Sequence, residues 1–168
     1  SSTREQVRAA IATGDYGYRQ IVVRINGQDT PWYKDDLKYF ANNKFCAVLV
    51  PKVETEESVA EIAADMQKLS YPDTCRLWVM IETPRSILNV EKITLADSRL
   101  EAVVMGTSDL SNDMRVPHSV NRIGFVYDHS RTFFVLCWLG QSEKCSKCSY
   151  SMFCSYMLSI YPVANSRL

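Results

Sequence analysis

The first 115 residues alternate short apolar runs with amphipathic helical stretches. The apolar runs begin about 25–30 residues apart, a spacing typical of repeated βα units. Each run is apolar on both faces, which is typical of a parallel sheet with covered faces. The pattern therefore predicts an α/β fold with four parallel βα units. The predicted strands are Gln20–Asn26, Cys46–Val50, Leu77–Glu82 and Ala102–Met105, and the predicted helices are Ser2–Thr13, Trp32–Asn42, Thr55–Leu69 and Ser86–Leu95.

Polar or charged side chains stand at or just after the end of every predicted strand. Because parallel strands deliver their carboxyl ends to one edge of the sheet, where ligands bind in such folds, these side chains are expected to meet there. The residues concerned are Arg24 with Asn26, Lys52 with Glu54, Glu82, and Asp109.

Two carboxylates on neighbouring strand ends, Glu82 and Asp109, favour a hard cation. Mg²⁺ fits this donor set best, because it keeps several waters and leaves positions for substrate oxygens. Arg24 offers a planar guanidinium for the carboxylate of an acid substrate. Backbone N–H groups in the segment 106–110, around Ser108, could hold the same carboxylate. These residues predict a 2-oxo acid site in which the metal stabilises oxyanion charge while a C–C bond breaks or forms.

Each of these residues also has a structural interpretation. Glu82 could cap the following helix or pair with Lys52 or Arg85, and Asp109 could be a plain N-cap. Arg24 could be an ion-pair partner within the sheet. Lys52 and Glu54 are interpreted as supporting residues rather than catalytic ones. No Ser/His/Asp or Cys/His set for nucleophilic catalysis can be assembled from the regular part of the chain.

Residues 116–168 form a second, unlike part of the sequence. They contain four of the six cysteines, many serines and aromatic residues, and no continued βα alternation. Cys145 and Cys148 form one C-x-x-C pair, but a zinc site usually needs two such pairs. Unpaired thiols are the preferred interpretation, and His118 and His129 are expected to be solvated. The predicted domains are thus a partial barrel over 1–115 and a divergent tail over 116–168.

The overall charge and hydropathy argue against two classes of partner. Lys plus Arg and Asp plus Glu number 19 each, so no net charge favours nucleic acid or an anionic membrane. The longest apolar run, 133–139, is too short to cross a bilayer. The uneven cysteine spacing and the polar opening segment predict a reduced compartment, the cytoplasm or, in a eukaryote, the mitochondrial matrix.

Four stretches in order carry a family resemblance: "VVRINGQDTPWYKDDL", "VLVPKVETEESV", "LWVMIETPRSILNVEKI" and "LEAVVMGTSDLSNDMR". They resemble the HpcH/HpaI aldolase and citrate lyase β-subunit family, most of all its malyl-CoA and β-methylmalyl-CoA lyase branch. The resemblance implies a TIM-type (β/α)₈ barrel, assembled into homo-trimers or hexamers. It also implies Mg²⁺-dependent cleavage of a 3-hydroxyacyl-CoA thioester into an acyl-CoA and a 2-oxo acid such as glyoxylate, with Mn²⁺ as a substitute metal.

The resemblance also implies roles for individual residues. Arg24 of "VRIN" would bind the oxo-acid carboxylate, Glu82 of "IETP" and Asp109 of "GTSDL" would be the metal ligands, and Ser108 with Asp109 would contact substrate. Three alternative functions stay open: a catalytically inactive remnant that interacts with a complete subunit, a malyl-CoA thioesterase, and a phosphoenolpyruvate-type barrel enzyme.

Only part of the family's barrel is expected in this chain. A complete (β/α)₈ barrel needs about 250 residues, and the four predicted strands correspond to the family's third through sixth. The tail over 116–168 is interpreted as unrelated sequence joined to this part through a shifted reading frame or a retained non-coding segment.

Overall fold

The computed structural model describes residues 3–14, 16–17 and 19–115, and the backbone of 156–159. Within these ranges the chain forms six helices and five strands. In chain order they are α1 Thr3–Thr13, β1 Ile21–Arg24, α2 Tyr33–Phe40, β2 Ala47–Val50, α3 Glu56–Lys68, β3 Arg76–Ile81, α4 Pro84–Leu88, α5 Val90–Leu95, β4 Leu100–Met105, α6 Thr107–Asp113 and β5 Tyr156–Ser159.

The strands form one parallel sheet in the order β4-β3-β2-β1-β5. Sequence neighbours β1 to β4 are also spatial neighbours, as expected of successive βα units, so the predicted α/β class and the four predicted strands are confirmed. The fifth strand was not predicted. It comes from the tail and pairs with β1 along its full length, with Ile21 opposite Tyr156.

The longest helix, α3, begins where its sequence signal predicts. Thr55 adopts an extended conformation as the N-cap, and its hydroxyl accepts a hydrogen bond from the Ser58 backbone N–H. The buried residues of the helix follow at helical spacing: Val59, Ile62, Ala63 and Met66. Val59, Ile62 and Met66 pack into the main core, which also contains Val53 of the loop between β2 and α3.

The helix predicted over Ser86–Leu95 is wrong in detail, because the structure breaks it at Asn89 into α4 and α5. Helix α4 begins two residues earlier than predicted, at Pro84, and Thr83 and Ser86 form a capping box on either side of this proline. The Asn89 side chain donates a 2.9 Å hydrogen bond to the Glu54 carbonyl oxygen. This tertiary bond competes with helical continuity, and asparagine has a low helix preference.

The two faces of the sheet are covered differently. Alternate residues such as Val23, Val48 and Val79 pack under the helices in the larger core. The opposite set makes a smaller cluster containing Val22, Ala47, Leu49, Trp78 and Met80. Because side chains alternate along a strand, Arg24 follows Val22 and Glu82 follows Met80 on this second face. The second face therefore leads to the charged residues at the carboxyl edge.

A buried carboxylate ties the first two helices to the end of β1. Asp36 is 1% exposed and accepts hydrogen bonds from Arg4 Nε at 2.6 Å and from Asn26 Nδ2 at 2.6 Å. The Asn26 backbone N–H also donates to it, at 3.2 Å. Asn26 was predicted to lie among the residues of the site edge, whereas in the structure its side chain hydrogen-bonds to Asp36.

Replacing Asp36 with alanine should lower the free energy of unfolding by about 2–3 kcal/mol, because it leaves the donors of Arg4 and Asn26 without their acceptor. Urea unfolding followed by circular dichroism measures this. Asp35→Ala, which removes an exposed carboxylate from the same helix turn, is the control and should change stability by about 0.5 kcal/mol or less. Equal midpoints for the two variants would contradict the structural role of Asp36.

Candidate metal and substrate site

Glu82 is a carboxylate buried directly after β3. Its side chain is 1% exposed, and Oε1 accepts a 2.9 Å hydrogen bond from the backbone N–H of Lys52. The helix-cap interpretation is wrong, because Thr83 is the N-cap of α4. Arg85 instead forms an ion pair with Glu54, with 3.8 Å between Nε and Oε2. Glu82 is thus held by a main-chain donor from the neighbouring strand end.

The charges around Glu82 show which predicted residues lie near it. Burial raises the pKa of the Glu82 carboxyl above its ordinary value, and the negative charge of Asp109 raises the pKa further. The positive charge of Arg24 opposes this shift, as do the N–H and the charge of Lys52. Arg24 and Asp109 therefore each lie within electrostatic range of Glu82. A buried acid beside a second acid is the environment that a divalent cation would relieve.

Asp109 lies in the first turn of α6, three residues after the N-cap position. Gly106 occupies that position, and no side chain caps the helix, so the interpretation of Asp109 as a plain N-cap is wrong. Ser108 and Asp109 are both exposed, whereas Glu82 is not. The contact of Ser108 with substrate stays a prediction. This arrangement presents one acid from the protein interior and one from the solvent side.

Arg24 is the last residue of β1 and is half-buried. Glu82 follows β3, and of the strands β2 alone lies between β1 and β3, both along the chain and in the sheet. Its planar, positively charged guanidinium can attract the carboxylate of a substrate toward the edge that carries Glu82. Its predicted role in substrate binding is consistent with this placement and remains a prediction.

Gly106 has a role at the site that sequence reasoning missed. A Cβ on this residue would lie 2.5 Å from the Cβ and 2.5 Å from Oε2 of Glu82. Its φ of −91° is ordinary for any residue, so the position requires space rather than glycine's conformational freedom. The glycine between β4 and the "TSDL" turn was visible in the sequence, where segment 106–110 was interpreted as a source of backbone N–H donors and the close approach to Glu82 was not predicted.

The donor set fits Mg²⁺ better than a soft transition metal. Glu82 and Asp109 would supply two carboxylate oxygens, and water and substrate oxygens would supply the rest. Among the described residues no group of three or more His, Cys, Asp and Glu side chains is arranged to hold a metal ion, so a closed zinc-type site is not found there. A cation with a largely aqueous shell is therefore the better match to this edge.

The predictions for the tail concern residues outside the described ranges. They include the C-x-x-C pair, the two histidines and the frame-shift interpretation of 116–168. Cys46 and Cys75, which are described, are free thiols. No helix in the described part of the chain is both long enough and apolar enough to cross a membrane.

The fold and the site define a partial α/β barrel with an acidic carboxyl-terminal edge, and comparison of the sequence with known families assigns the class. Residues 1–136 match the HpcH/HpaI aldolase/citrate lyase family, and the chain belongs to that family. The match extends past Arg115, where the sequence analysis placed the domain boundary. That boundary stays a prediction.

Individual relatives agree with this assignment. A (3S)-malyl-CoA thioesterase of Cereibacter sphaeroides is 37% identical over 120 residues, which cover 71% of this chain and 40% of the relative. An L-malyl-CoA/β-methylmalyl-CoA lyase of the same species is 33% identical over 121 residues, covering 68% and 38%. The chain therefore spans about two fifths of the length of these relatives.

Solved structures support the barrel-type fold. The citrate lyase β subunit of Mycobacterium tuberculosis, solved with oxaloacetate and magnesium, superposes with a TM-score of 0.59 at 25% identity. The superposition covers 72% of this chain and 51% of that one. The predicted fold class, a partial barrel of parallel βα units, is confirmed.

Proposed function

We propose that this chain carries the metal and oxo-acid site of a Mg²⁺-dependent carbon–carbon lyase acting on a 3-hydroxyacyl-CoA thioester. The observation that carries the proposal is the buried Glu82 carboxylate, which stands beside the charges of Asp109 and Arg24 at the carboxyl edge of the sheet. The citrate lyase β subunit solved with oxaloacetate and magnesium supports it, since that protein binds a 2-oxo acid together with the proposed metal.

Each residue has a distinct task in this proposal. Arg24 binds the carboxylate of the oxo acid and orients it at the sheet edge. Glu82 and Asp109 would hold Mg²⁺, which when bound supplies Lewis-acid stabilisation of the developing oxyanion. Ser108, which is exposed at the start of α6, contacts the substrate through its backbone. Mn²⁺ should substitute, because it accepts the same oxygen ligands.

The thioesterase function is the second candidate, and a specific observation favours it. The (3S)-malyl-CoA thioesterase is 37% identical to this chain, against 33% for the malyl-CoA/β-methylmalyl-CoA lyase. Both activities begin from the same thioester, so the same residues would bind it. The two functions differ in the bond that breaks: the C–C bond in the lyase, the thioester bond in the thioesterase.

One assay on the full chain distinguishes these functions. Malyl-CoA is incubated with Mg²⁺, and glyoxylate and free CoA thiol are measured in parallel. We expect glyoxylate and acetyl-CoA to appear together without free thiol. Release of thiol and malate without glyoxylate would establish the thioesterase and overturn the lyase.

The remaining alternatives have their own outcomes. Turnover of phosphoenolpyruvate-type substrates but not of malyl-CoA would establish the third candidate. Absence of any Mg²⁺-dependent turnover, alone or in a homo-oligomer, would identify an inactive remnant. Analytical ultracentrifugation of the same sample tests the proposed trimer or hexamer.

A further inference from the structure

Lys52 has an unusual backbone conformation directly after β2. Its φ is +55°, in the left-handed region that L residues with a Cβ rarely adopt. Its side chain is exposed, so packing of the lysine does not explain the conformation. Its backbone N–H donates to Glu82 Oε1 at 2.9 Å, across from β2 to the end of β3.

Two other described residues with positive φ have an ordinary explanation that Lys52 lacks. Ser70 and Arg115 each directly follow a helix C-cap, Leu69 and Met114, where a left-handed residue is a common helix ending. Lys52 follows a strand. Left-handed residues without such a local reason concentrate at functional sites, where the surrounding structure compensates the strain.

The two carboxylate oxygens of Glu82 are both constrained by main chain. The Lys52 N–H contacts Oε1, and the Gly106 Cα leaves no room for a side chain beside Oε2. Mutation of a group that hydrogen-bonds and orients a ligating carboxylate typically weakens metal binding by about 10–100-fold.

We propose that Lys52 is a positioning residue that acts through its left-handed main chain, directing the Glu82 carboxylate toward the cation, and that its side chain is dispensable for this. The inference rests on the proposed role of Glu82 as a metal ligand. It assigns the requirement to a backbone conformation rather than to the lysine ammonium group.

Three variants that all remove the lysine charge differ in the backbone conformation that they tolerate. Asparagine tolerates the left-handed region, whereas valine, branched at Cβ, does not. In Mn²⁺ titrations followed by electron paramagnetic resonance, Lys52→Asn should stay within about threefold of the wild-type Kd. Lys52→Val should weaken Mn²⁺ binding by about tenfold or more. Lys52→Gly, which adopts positive φ freely, should bind like Lys52→Asn.

A second readout needs no metal. In the NMR spectrum of the metal-free protein, the backbone amide proton of Lys52 should resonate downfield, because it is hydrogen-bonded to the Glu82 carboxylate. Glu82→Ala removes this acceptor and should shift the resonance upfield. If Lys52→Val does not fold, Lys52→Ala is used in its place. The alanine variant should lose more Mn²⁺ affinity than Lys52→Asn, but less than valine would cause.

The outcomes separate failure of this inference from failure of the proposed function. Equal Mn²⁺ affinity in the asparagine and valine (or alanine) variants would overturn the inference while leaving the metal site intact. If the wild-type chain binds no Mn²⁺, the proposed function fails, and the amide resonance then decides the inference: an unchanged shift in Glu82→Ala overturns it.

Discussion

Replacing Glu82 with glutamine is expected to abolish Mg²⁺-dependent turnover of malyl-CoA while making the metal-free protein more stable at neutral pH. The amide keeps the shape of the side chain and an acceptor for the Lys52 N–H, but it loses the charge that would bind the cation. Removal of a group that stabilises developing charge lowers kcat by about 10²–10³-fold, and loss of the metal adds to this. Steady-state kinetics with Mg²⁺ measure the first effect.

The stability gain follows from the raised pKa of Glu82. Since the folded state raises this pKa above its ordinary value, the folded protein binds the proton more tightly than the unfolded chain does. The ionised group therefore destabilises the fold as pH rises through the folded pKa. Below the ordinary glutamate pKa, both states are protonated and the penalty disappears.

Urea unfolding of the chelator-treated protein over a pH series tests whether ionisation of Glu82 lowers the free energy of unfolding. Glu82→Gln should exceed the wild type in stability at pH 7, and the two should converge in acid. Glu91→Gln, an exposed residue on α5, should leave both stability and turnover unchanged. A Glu82→Gln protein that is less stable at pH 7, or that keeps wild-type turnover, contradicts the account.

The Gly106→Ala variant should have the second large effect, although it adds only one methyl group. That methyl would be placed 2.5 Å from both Cβ and Oε2 of Glu82, so the strand end or the carboxylate must move. Overpacking of this kind typically costs about 1–3 kcal/mol. A displacement of about 1 Å at a reacting group can lower activity about 10²-fold, so we expect kcat/KM to fall more than stability explains.

Gly27→Ala is the matched control for this variant. Its added methyl would approach Asp29 Oδ1 at 2.6 Å, but that atom ends an exposed, flexible side chain that can turn away. Thermal unfolding and kinetics of both variants are compared under one set of conditions. If Gly106→Ala keeps wild-type kcat/KM, or loses no more than Gly27→Ala, the packing of Gly106 against Glu82 has no functional importance.

Local sequence pattern was sufficient to predict the strand ends that carry the candidate site. The strand ends could be located because β2 and β3 are continuous apolar runs that stop at Pro51 and Glu82. If all four strands are parallel, the residues at their carboxyl ends must lie at one edge of the sheet. The predicted site therefore combines Glu82 with Arg24 and Asp109. No long-range information was needed for that inference.

What escaped prediction depends on distances between residues far apart in the chain. The gap between Gly106 and Glu82, the left-handed turn at Lys52 and the bond from Asn89 to Glu54 have no signature in local hydrophobic periodicity. The pairing of β5 with β1 is of the same kind, since four residues in a stretch without alternation carry no partner information.

Stoichiometric binding of Mn²⁺ to the wild type, to Glu82→Gln, to Asp109→Asn and to the double variant tests the shared cation most directly. We expect one ion to bind per wild-type chain and each single variant to bind Mn²⁺ about tenfold more weakly or worse. The double variant should lose less binding free energy than the sum of the losses in the two single variants, because both residues hold the same ion. Wild-type affinity in Asp109→Asn, or no binding by the wild-type chain, would contradict this expectation.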